Sequence, residues 1–527
     1  MRLAKNFILG SAAGLLAIGG AQAADLPVKA KAVEYVRICS LYGAGFFYIP
    51  GTDTCIKLGG YLRVDTTFNG GIHGTPAWSG DIGQQNRYAN YFASRSRMAL
   101  TIDTRTATEY GVVRTFGQTD LQFSTLGGST LNPASVSQSS PVGGVQLLDT
   151  PGGGYAAIEY LFIQFAGFTF GKSSSAYSTP WNGFPGNINS NLLGGNNTDT
   201  GVNNIQYTAQ FGNGVSGSIG LDDPTVWNRT VVANLSLPLS ATLGAANAYA
   251  GTHAPDIVGN IRIDQAWGLF QLSAAAHEVS GSYNVLNSAA VPAGATGLAG
   301  AAPTALSEIS GHPDTKWGGA VMAALNIKNI PTGPGDDIKM DVSYTKGDTK
   351  NVIATSSTSP SFAMFGSSGV AYQSVGFGLT SDAVYRPVAA GGDGSLHLTE
   401  AYGIRGAFNH NWDPYWSSSL FGSYSAVRYD GTAKNDICAN YAVPAKNVGG
   451  AQQFTCNPDF NVSQLGVVTR WTPVKNLTFS AEVQWFHLDQ KFAGVATLGP
   501  TAPQPSAVYE FKDQDTFLLQ VRAQRNF

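Results

Sequence analysis

Apolar and polar side chains alternate with a period of two along most of this chain of 527 residues. In the clearest segment, Asn476 to Leu488, Phe479 and Val483 share one face, whereas Ser480 and Glu482 share the other. Successive side chains of a β-strand point to opposite faces, so the pattern predicts strands with one apolar and one polar face. Helical periodicity is almost absent, and the sequence therefore predicts an all-β fold.

Sixteen segments carry this alternation, and turn residues separate them. They are 57–68, 94–105, 108–120, 155–166, 168–176, 203–211, 215–222, 256–266, 268–280, 317–328, 338–346, 400–411, 416–430, 462–472, 476–489 and 511–527. All but one of the links that follow an even-numbered segment are tight turns, the exception being Asn329 to Asp337, and the other links are long polar loops. An even strand count with this asymmetry is typical of a transmembrane antiparallel β-barrel, with short periplasmic turns and long extracellular loops.

A soluble β-sandwich would also alternate, so the direction of the apolar face decides between the two folds. Many predicted strands carry ionisable residues on the polar face, such as Arg63, Asp65 and Arg262. A wide polar lumen accommodates these more simply than a protein core does. The tryptophans near the tight turns, which fit an aromatic girdle or ordinary surface positions, are Trp267, Trp412, Trp416 and Trp471.

The first residues have the pattern of an export signal. Arg2 and Lys5 precede an apolar stretch, and Ala21 to Ala23 forms an A-x-A cleavage site. We therefore predict a signal peptide over residues 1–23 and a single barrel domain over residues 24–527. The segment from Thr230 to Ala250 is apolar enough to hold an additional hairpin, and the sequence does not decide this.

Composition excludes one class of partner. The chain has 31 Lys and Arg against 34 Asp and Glu, a net charge of −3, and therefore lacks the basic field that nucleic-acid binding requires.

Its four cysteines, in an exported chain, favour two local disulfides, Cys39 with Cys55 and Cys438 with Cys456. A zinc site is the alternative, but no C-x-x-C occurs and no histidine is near either pair.

Several stretches resemble one family. Ile38 to Cys55, continued by Lys57 to Arg63, is similar to the opening of the alphaproteobacterial outer-membrane porins. Further similar stretches are Phe162 to Lys172, Pro255 to Arg262, Asp413 to Trp416 and Trp471 to Leu477. The final segment, which ends at Phe527, resembles the assembly signature of bacterial outer-membrane barrels. The resemblance implies a multi-pass homotrimer in outer-membrane lipid that passes small hydrophilic solutes.

The resemblance also implies where the channel is narrowest. In trimeric porins the third long loop folds inward and faces basic wall residues, and here that loop is about 177–202. The candidate wall residues are Arg63, Arg95, Arg97 and Arg114, although Arg114 shares its face with Val112 and Phe116. Asp199 is the only acid in the loop, which argues against a strong transverse field. The alternative for each arginine is a solvated or ion-paired position away from the constriction.

The assigned polar faces hold more basic than acidic residues, which predicts weak anion preference. The basic residues are Lys57, Arg63, Arg95, Arg97, Arg262, Lys339, Arg470 and Arg522; the acidic ones are Asp65, Asp103, Asp264, Asp341 and Glu482.

Segments 155–166 and 416–430 alternate less clearly, and we predict that they pack on protein within the trimer.

Catalytic and cofactor sites lack support in the sequence. Gly212 to Gly217 matches G-x-G-x-x-G, yet its Asn-Gly pair is a hairpin signal and a strand follows. The seven histidines have no metal-ligand spacing. We therefore predict no enzyme, no cofactor and no metal. A diffusion porin is the leading interpretation, a substrate-selective channel of the same fold the second, and a secreted non-channel β protein the third.

Overall fold

The computed structural model describes most of the predicted barrel domain. The described residues are 37–76, 91–124, 153–225, 229–236, 239, 247–287, 302–353, 361–441, 454–498 and 504–527. The predicted signal peptide, 1–23, lies outside them. Within these ranges, no helix combines the length and apolar character needed to cross a membrane.

Sixteen long antiparallel strands form one closed barrel, and each corresponds to a predicted segment. They are β1 Cys55–Phe68, β2 Phe92–Thr108, β3 Gly111–Ser124, β4 Gly153–Phe165, β5 Phe168–Ser173, β6 Val202–Gly212, β7 Val215–Asp222, β8 Asp256–Gln265, β9 Gly268–Val279, β10 Lys316–Lys328, β11 Asp337–Lys346, β12 Glu400–Asn411, β13 Trp416–Arg428, β14 Phe460–Val474, β15 Leu477–Gln490 and β16 Gln514–Asn526. The predicted all-β barrel is therefore confirmed.

The barrel closes where its last strand meets its first. β16 pairs with β1 from Phe68 opposite Leu519 to Tyr61 opposite Asn526. The backbone amide of Phe527 then donates to the carbonyl of Gly60 at 3.0 Å. Closure pairs the backbone groups that an open sheet edge would leave free, which a membrane-spanning sheet requires.

The tight turns use residues that tolerate a left-handed backbone. At the β6–β7 turn, Asn213 and Gly214 have φ angles of 49° and 74°. Two-residue hairpins of this kind need positive φ at both positions, which explains the Asn-Gly sequence. A Cβ atom on Gly214 would lie 1.9 Å from the carbonyl oxygen of Asp264, so the neighbouring strand also excludes any larger residue.

The apolar faces of the strands point outward. On β1, Leu58 and Leu62 are exposed, whereas Asp65 on the opposite face is buried inside the barrel. The four tryptophans near the turns are also exposed, and two of them, Trp416 and Trp471, stack with ring centroids 5.8 Å apart. This orientation is that of a transmembrane barrel and is opposite to that of a soluble sandwich.

The outer loops fold into a cap with its own apolar core. A four-stranded sheet joins Phe362–Gly366 and Gln373–Gly378 to Val495–Leu498 and Ala507–Phe511. A second sheet combines the short strands Val232–Asn234, Ala383–Tyr385 and His397–Leu398. Helix α2, Gly431–Asn440, packs on the same core through Ala433 and Ile437. The remaining short elements are Ser40–Tyr42, Phe47–Tyr48, Leu286–Asn287, Ala302–Pro303, α1 Ser307–Ser310, Thr349–Asn351 and Val388–Ala390.

The segment from Thr230 to Ala250 adds no hairpin to the barrel. β7 pairs directly with β8, with Leu221 opposite Ile257, which leaves no place for strands between them. The described part of the segment instead contributes Val232–Asn234 to the cap, parallel to Ala383–Tyr385.

Both predicted disulfides are present. Cys39 bonds to Cys55 at the start of β1, where the two sulfurs pack with Phe46. Cys438 of α2 bonds to Cys456 in the segment that precedes β14. The two bridges thus lie at opposite ends of the barrel, one beside the periplasmic turns and one in the cap.

Candidate functional site

The segment that links β5 to β6, residues 174–201, lies inside the barrel. It contains no helix or strand, and most of its side chains are buried, including Leu192 and Leu193. A buried segment without secondary structure must find partners for its backbone polar groups elsewhere. Here many of the partners are side chains from the inner faces of strands β8 to β15, and loop carbonyls supply others.

Two wall residues bond the backbone of the segment. Glu482 on β15 is fully buried and accepts hydrogen bonds from the amide of Ile188 and from Asn189 Nδ2, both at 2.5 Å. Gln464 on β14 accepts from the amide of Leu193 at 2.8 Å and donates to the carbonyl of Asn191 at 2.9 Å. The middle of the segment is thereby fixed against one side of the lumen.

A buried ion pair holds the returning part of the segment. Arg405 on β12 lies 2.9 Å from Asp341 on β11. Its guanidinium also donates to the carbonyl oxygens of Leu192 and Gly195, at 3.4 and 3.2 Å. A Cβ atom on Gly195 would lie 2.2 Å from the Asp341 carboxylate, so this close approach requires glycine. The arrangement satisfies both charges and the loop carbonyls together, as a buried ion pair requires.

The first long loop contacts the same segment through His73. Its carbonyl oxygen accepts hydrogen bonds from the amide of Ser190 and from Asn191 Nδ2, both at 3.0 Å. Its ring Nδ1 lies 2.6 Å from Arg95 Nη1. Burial, together with the neighbouring cations Arg95 and Arg97, holds the pKa of His73 well below its usual value. The ring is therefore neutral, and its Nδ1 accepts a hydrogen bond from Arg95.

The opposite arc of the wall carries three of the predicted arginines close together. Arg63 and Arg97 are direct partners across β1 and β2, and Arg95 is opposite Asp65 in the same ladder. Arg95 lies 2.5 Å from Asp65, which also pairs with Arg522 at 2.6 Å. The basic row is therefore partly neutralised by carboxylates on the same wall.

Arg97 also forms ion pairs, whereas Arg63 forms none within the described part of the chain. Arg97 Nη1 lies 2.5 Å from Asp120 and 3.3 Å from Glu159. Arg63 donates from Nε to Gln524 at 2.8 Å and lies over the ring of Tyr61. Among the described residues, no carboxylate lies within ion-pair distance of Arg63. Its charge is the least compensated of the four predicted wall arginines.

Arg114 lies apart from this row. It is opposite Arg105 near the β2–β3 turn, and eight residues along β3 separate it from Gln122, the partner of Arg97. At a rise of about 3.3 Å per residue, that distance is about 26 Å along the strand. The Arg114 guanidinium bonds the carboxylate of Asp103 and lies over the ring of Phe162.

Asp199 is at the end of the inward segment. Its charge interacts with Glu159 on the wall and with Lys350 in the loop after β11. Burial lowers the pKa of Lys350 to about 8, while the acidic groups Asp199 and Asp348 act in the opposite direction. The only acid of the segment therefore lies next to other ionisable groups and is not isolated in the lumen.

Sequence reasoning missed several residues that anchor the segment, among them Gln464, Arg405 and His73. Arg405 lies between Gly403 and Ala407 on its face of β12, so the alternation gave it no adjacent polar neighbour. His73 is in a loop, where no periodicity applies. Only the path of the inward segment brings the Arg405 side chain and the His73 carbonyl into contact with it, and that path is not encoded in the local sequence pattern. Within the described ranges, no cluster of three His, Cys, Asp or Glu residues could hold a metal ion.

A closed sixteen-stranded barrel with an apolar exterior, a polar lumen and an inward loop defines the class of outer-membrane channels. The Porin subfamily matches residues 25–519, and this chain belongs to that family. Porin Omp2b of Brucella neotomae is 30% identical over 383 residues, which cover 66% of this chain and 95% of the relative. Porin Omp2b of Brucella suis has the same identity and coverage.

Solved structures with a similar fold include OmpT of Vibrio cholerae. It is 8% identical with a TM-score of 0.42, and the match covers 91% of this chain and 99% of that one. The anion-selective porin from Comamonas acidovorans is 9% identical with a TM-score of 0.40, covering 90% of this chain and all of that one, 100%. Family membership makes this protein an outer-membrane diffusion channel rather than an enzyme. The third interpretation, a secreted non-channel protein, is therefore wrong.

Proposed function

We propose that the protein is a homotrimeric general diffusion porin whose outer wall contacts lipid and whose pore is narrowed by residues 177–202. The observation that supports this proposal is the position of the inward segment inside the barrel. It is bonded to the inner wall through Glu482, Gln464 and Arg405, so it occupies the lumen in a fixed position. A fixed loop in the lumen reduces the cross-section available to solutes.

We further propose weak anion preference, with Arg63 as the main contributor at the constriction. Arg95 and Arg97 form ion pairs, so their fields largely cancel at a distance. Arg63 has no such partner among the described residues. Water and salt screen the remaining field, which keeps the selectivity modest.

Exchanging Asp199 for asparagine tests whether the segment is at the constriction. The variant Asp199→Asn should increase anion preference, because it removes the only acid of the segment. Asp223→Asn is the matched control, since it removes the same charge from the loop after β7, where Asp223 bonds Thr225. Reversal potentials in a salt gradient measure both variants. Equal shifts would mean that only total charge matters, and the segment would not be the constriction.

A substrate-selective channel is the second candidate, and the cap favours it. Loops that are bonded to one another and share an apolar core restrict access to the pore more than separate loops would. Liposome swelling with neutral sugars of increasing size distinguishes the two. A smooth decline with solute size supports general diffusion, and a strong preference for one sugar supports selective transport.

A further inference from the structure

A polar cavity of about 290 Å³ lies beside the start of the inward segment, near the periplasmic turns. It is bounded by residues 174–182 and by the inner faces of β6, β7 and β8. Its described lining is almost entirely serine, threonine, asparagine and glutamine, and Arg262 is the only charged side chain among these residues. An uncharged polar lining around one cation fits a ligand that combines hydroxyl groups with a negative charge.

Arg262 is placed to bind an anion. Its Nε donates to Gln271 Oε1 at 2.9 Å, which fixes the orientation of the guanidinium. Across the described residues, no carboxylate lies within ion-pair distance of it, and Asp264, the nearest acid on its strand, pairs with Lys328 at 3.1 Å. The terminal nitrogens, which bind carboxylates in a bidentate manner elsewhere, have no protein partner in this part of the structure.

Three other groups in the cavity lack hydrogen-bond partners within the described chain. They are Thr179 Oγ1, Asn182 Oδ1 and Gln206 Oε1. Thr179 is only 2% exposed, so its hydroxyl depends on what occupies the cavity. The two amide oxygens accept hydrogen bonds, and the threonine hydroxyl can donate or accept. Hydroxyl groups of a bound solute would satisfy all three.

We propose that this cavity is a binding site for a small hydroxylated monoanion, such as a sugar acid. Arg262 binds the carboxylate, and Thr179, Asn182 and Gln206 bind the hydroxyl groups. The volume is at the lower end of the range for ligand sites, about 300 to 1,000 Å³, so the ligand is a small molecule. The proposal rests on the proposed channel function, because the solute reaches the cavity through the lumen.

Gluconate, with glucose as its neutral counterpart, is the probe for this site. The full chain is reconstituted in a planar bilayer, and the single-channel current is recorded while each solute is added on the side of the periplasmic turns. We expect gluconate to cause a saturable partial block that glucose does not cause at the same concentration. Open-channel conductance in salt alone, measured in the same recordings, reports separately on the proposed channel function.

Two variants and a matched control test whether the gluconate block arises at this cavity. Arg262→Gln should weaken gluconate block by about tenfold, as expected for loss of a charge-assisted hydrogen bond. Thr179→Val, which keeps the side-chain shape, should weaken it by about threefold. Lys339→Gln removes the same charge from another wall position, where Lys339 pairs with Asp337 at 3.1 Å, and should leave the block unchanged.

Three results would overturn the proposal while leaving the channel function intact. They are a normal channel without saturable gluconate block, equal block by glucose, and equal weakening in Lys339→Gln and Arg262→Gln. A chain without open-channel conductance would instead overturn the proposed function, and this proposal with it.

Discussion

Arginine has two different roles on the inner wall of this channel. Arg405 is buried with Asp341 and bonds loop carbonyls, so its charge serves the architecture of the inward segment. Arg63 bonds only the neutral Gln524 among the described residues, so its charge remains available to ions. The sequence alone does not separate these roles, because both residues alternate with apolar neighbours in the same way.

Replacing Arg63 and Arg97 separately tests this distinction. Arg63→Gln should shift the reversal potential towards cations without lowering thermal stability. Arg97→Gln should shift it in the same direction, but should also destabilise the barrel by about 3 kcal/mol, because Asp120 and Glu159 would lose their partner. Bilayer recordings and thermal unfolding in detergent measure the two effects. An equal loss of stability in both variants would contradict the assignment of Arg63 as unpaired.

His73 should make stability depend on pH. Its pKa is lower in the folded protein than its usual value of 6.5, so the unfolded chain binds a proton more readily. The contribution of His73 is therefore complete above about pH 6.5 and decreases as the pH falls below that value, by up to about 1.4 kcal/mol per pH unit. His73→Gln keeps an acceptor and cannot titrate, so its unfolding temperature should fall less between pH 7.5 and 5.5. A slope equal to that of the unmodified protein would exclude His73 as the cause.

At the scale of single elements, the pairing of β4 with β3 explains why apolar and polar residues alternate poorly in the β4 sequence. The register of β3 and β4 shifts at Gln118 and Thr119, which leaves Glu159 without an opposite residue. After this bulge the faces exchange positions, as a single extra residue requires. Tyr160 and Phe162 therefore lie by Phe116 inside the barrel, while Leu161 and Ile163 point outward.

The strands and the disulfides were predictable, and the bulge was not. Period-two patterning specifies strands because successive side chains point alternately to lipid and to the lumen. The cysteine spacing favours two disulfides that each close a short loop. The β4 bulge has no signal of its own in the sequence. Glu159 was accordingly absent from the predicted lumen charges, although it pairs with Arg97.

The disulfide between Cys438 and Cys456 should stabilise the cap without affecting the barrel. The bridge closes a loop with a sequence separation of 18, which is worth about 3 kcal/mol in the chain-entropy model. We expect Cys438→Ser with Cys456→Ser to increase proteolysis between α2 and β14 while the unfolding temperature of the barrel stays constant.

The matched control is the other bridge, which lies at the opposite end of the barrel. Cys39→Ser with Cys55→Ser should leave proteolysis of the cap unchanged. Cap cleavage at the original rate in the Cys438 and Cys456 variant would mean that the apolar core alone holds α2.

At the scale of the whole molecule, the trimer interface is testable by comparing two outward-facing residues. Leu161 on β4 and Ile261 on β8 are 57% and 60% exposed on the single chain. If β4 packs on a neighbouring copy, Leu161→Gln should dissociate the trimer, because it places an amide in an apolar contact. Ile261→Gln serves as the control. Native electrophoresis in mild detergent distinguishes the two, and dissociation by Ile261→Gln alone would place the interface elsewhere.

The cap could not be predicted from the sequence. Its strands are only a few residues long, and they pair with segments from other loops, so neither length nor alternation identifies them. The strand Val232–Asn234, for example, pairs parallel with Ala383–Tyr385, more than a hundred residues away. Such contacts arise only because the barrel brings the loop ends together.

These parallel pairings also set an order of assembly. Bringing two segments so distant in sequence together costs loop-closure entropy unless intervening structure has already formed. We therefore expect the strands from β8 to β11, which lie between the paired segments, to pair before Val232–Asn234 joins Ala383–Tyr385. On this reasoning we expect the cap to fold last, so that a chain stalled during insertion would present its loops unpaired at the cell surface.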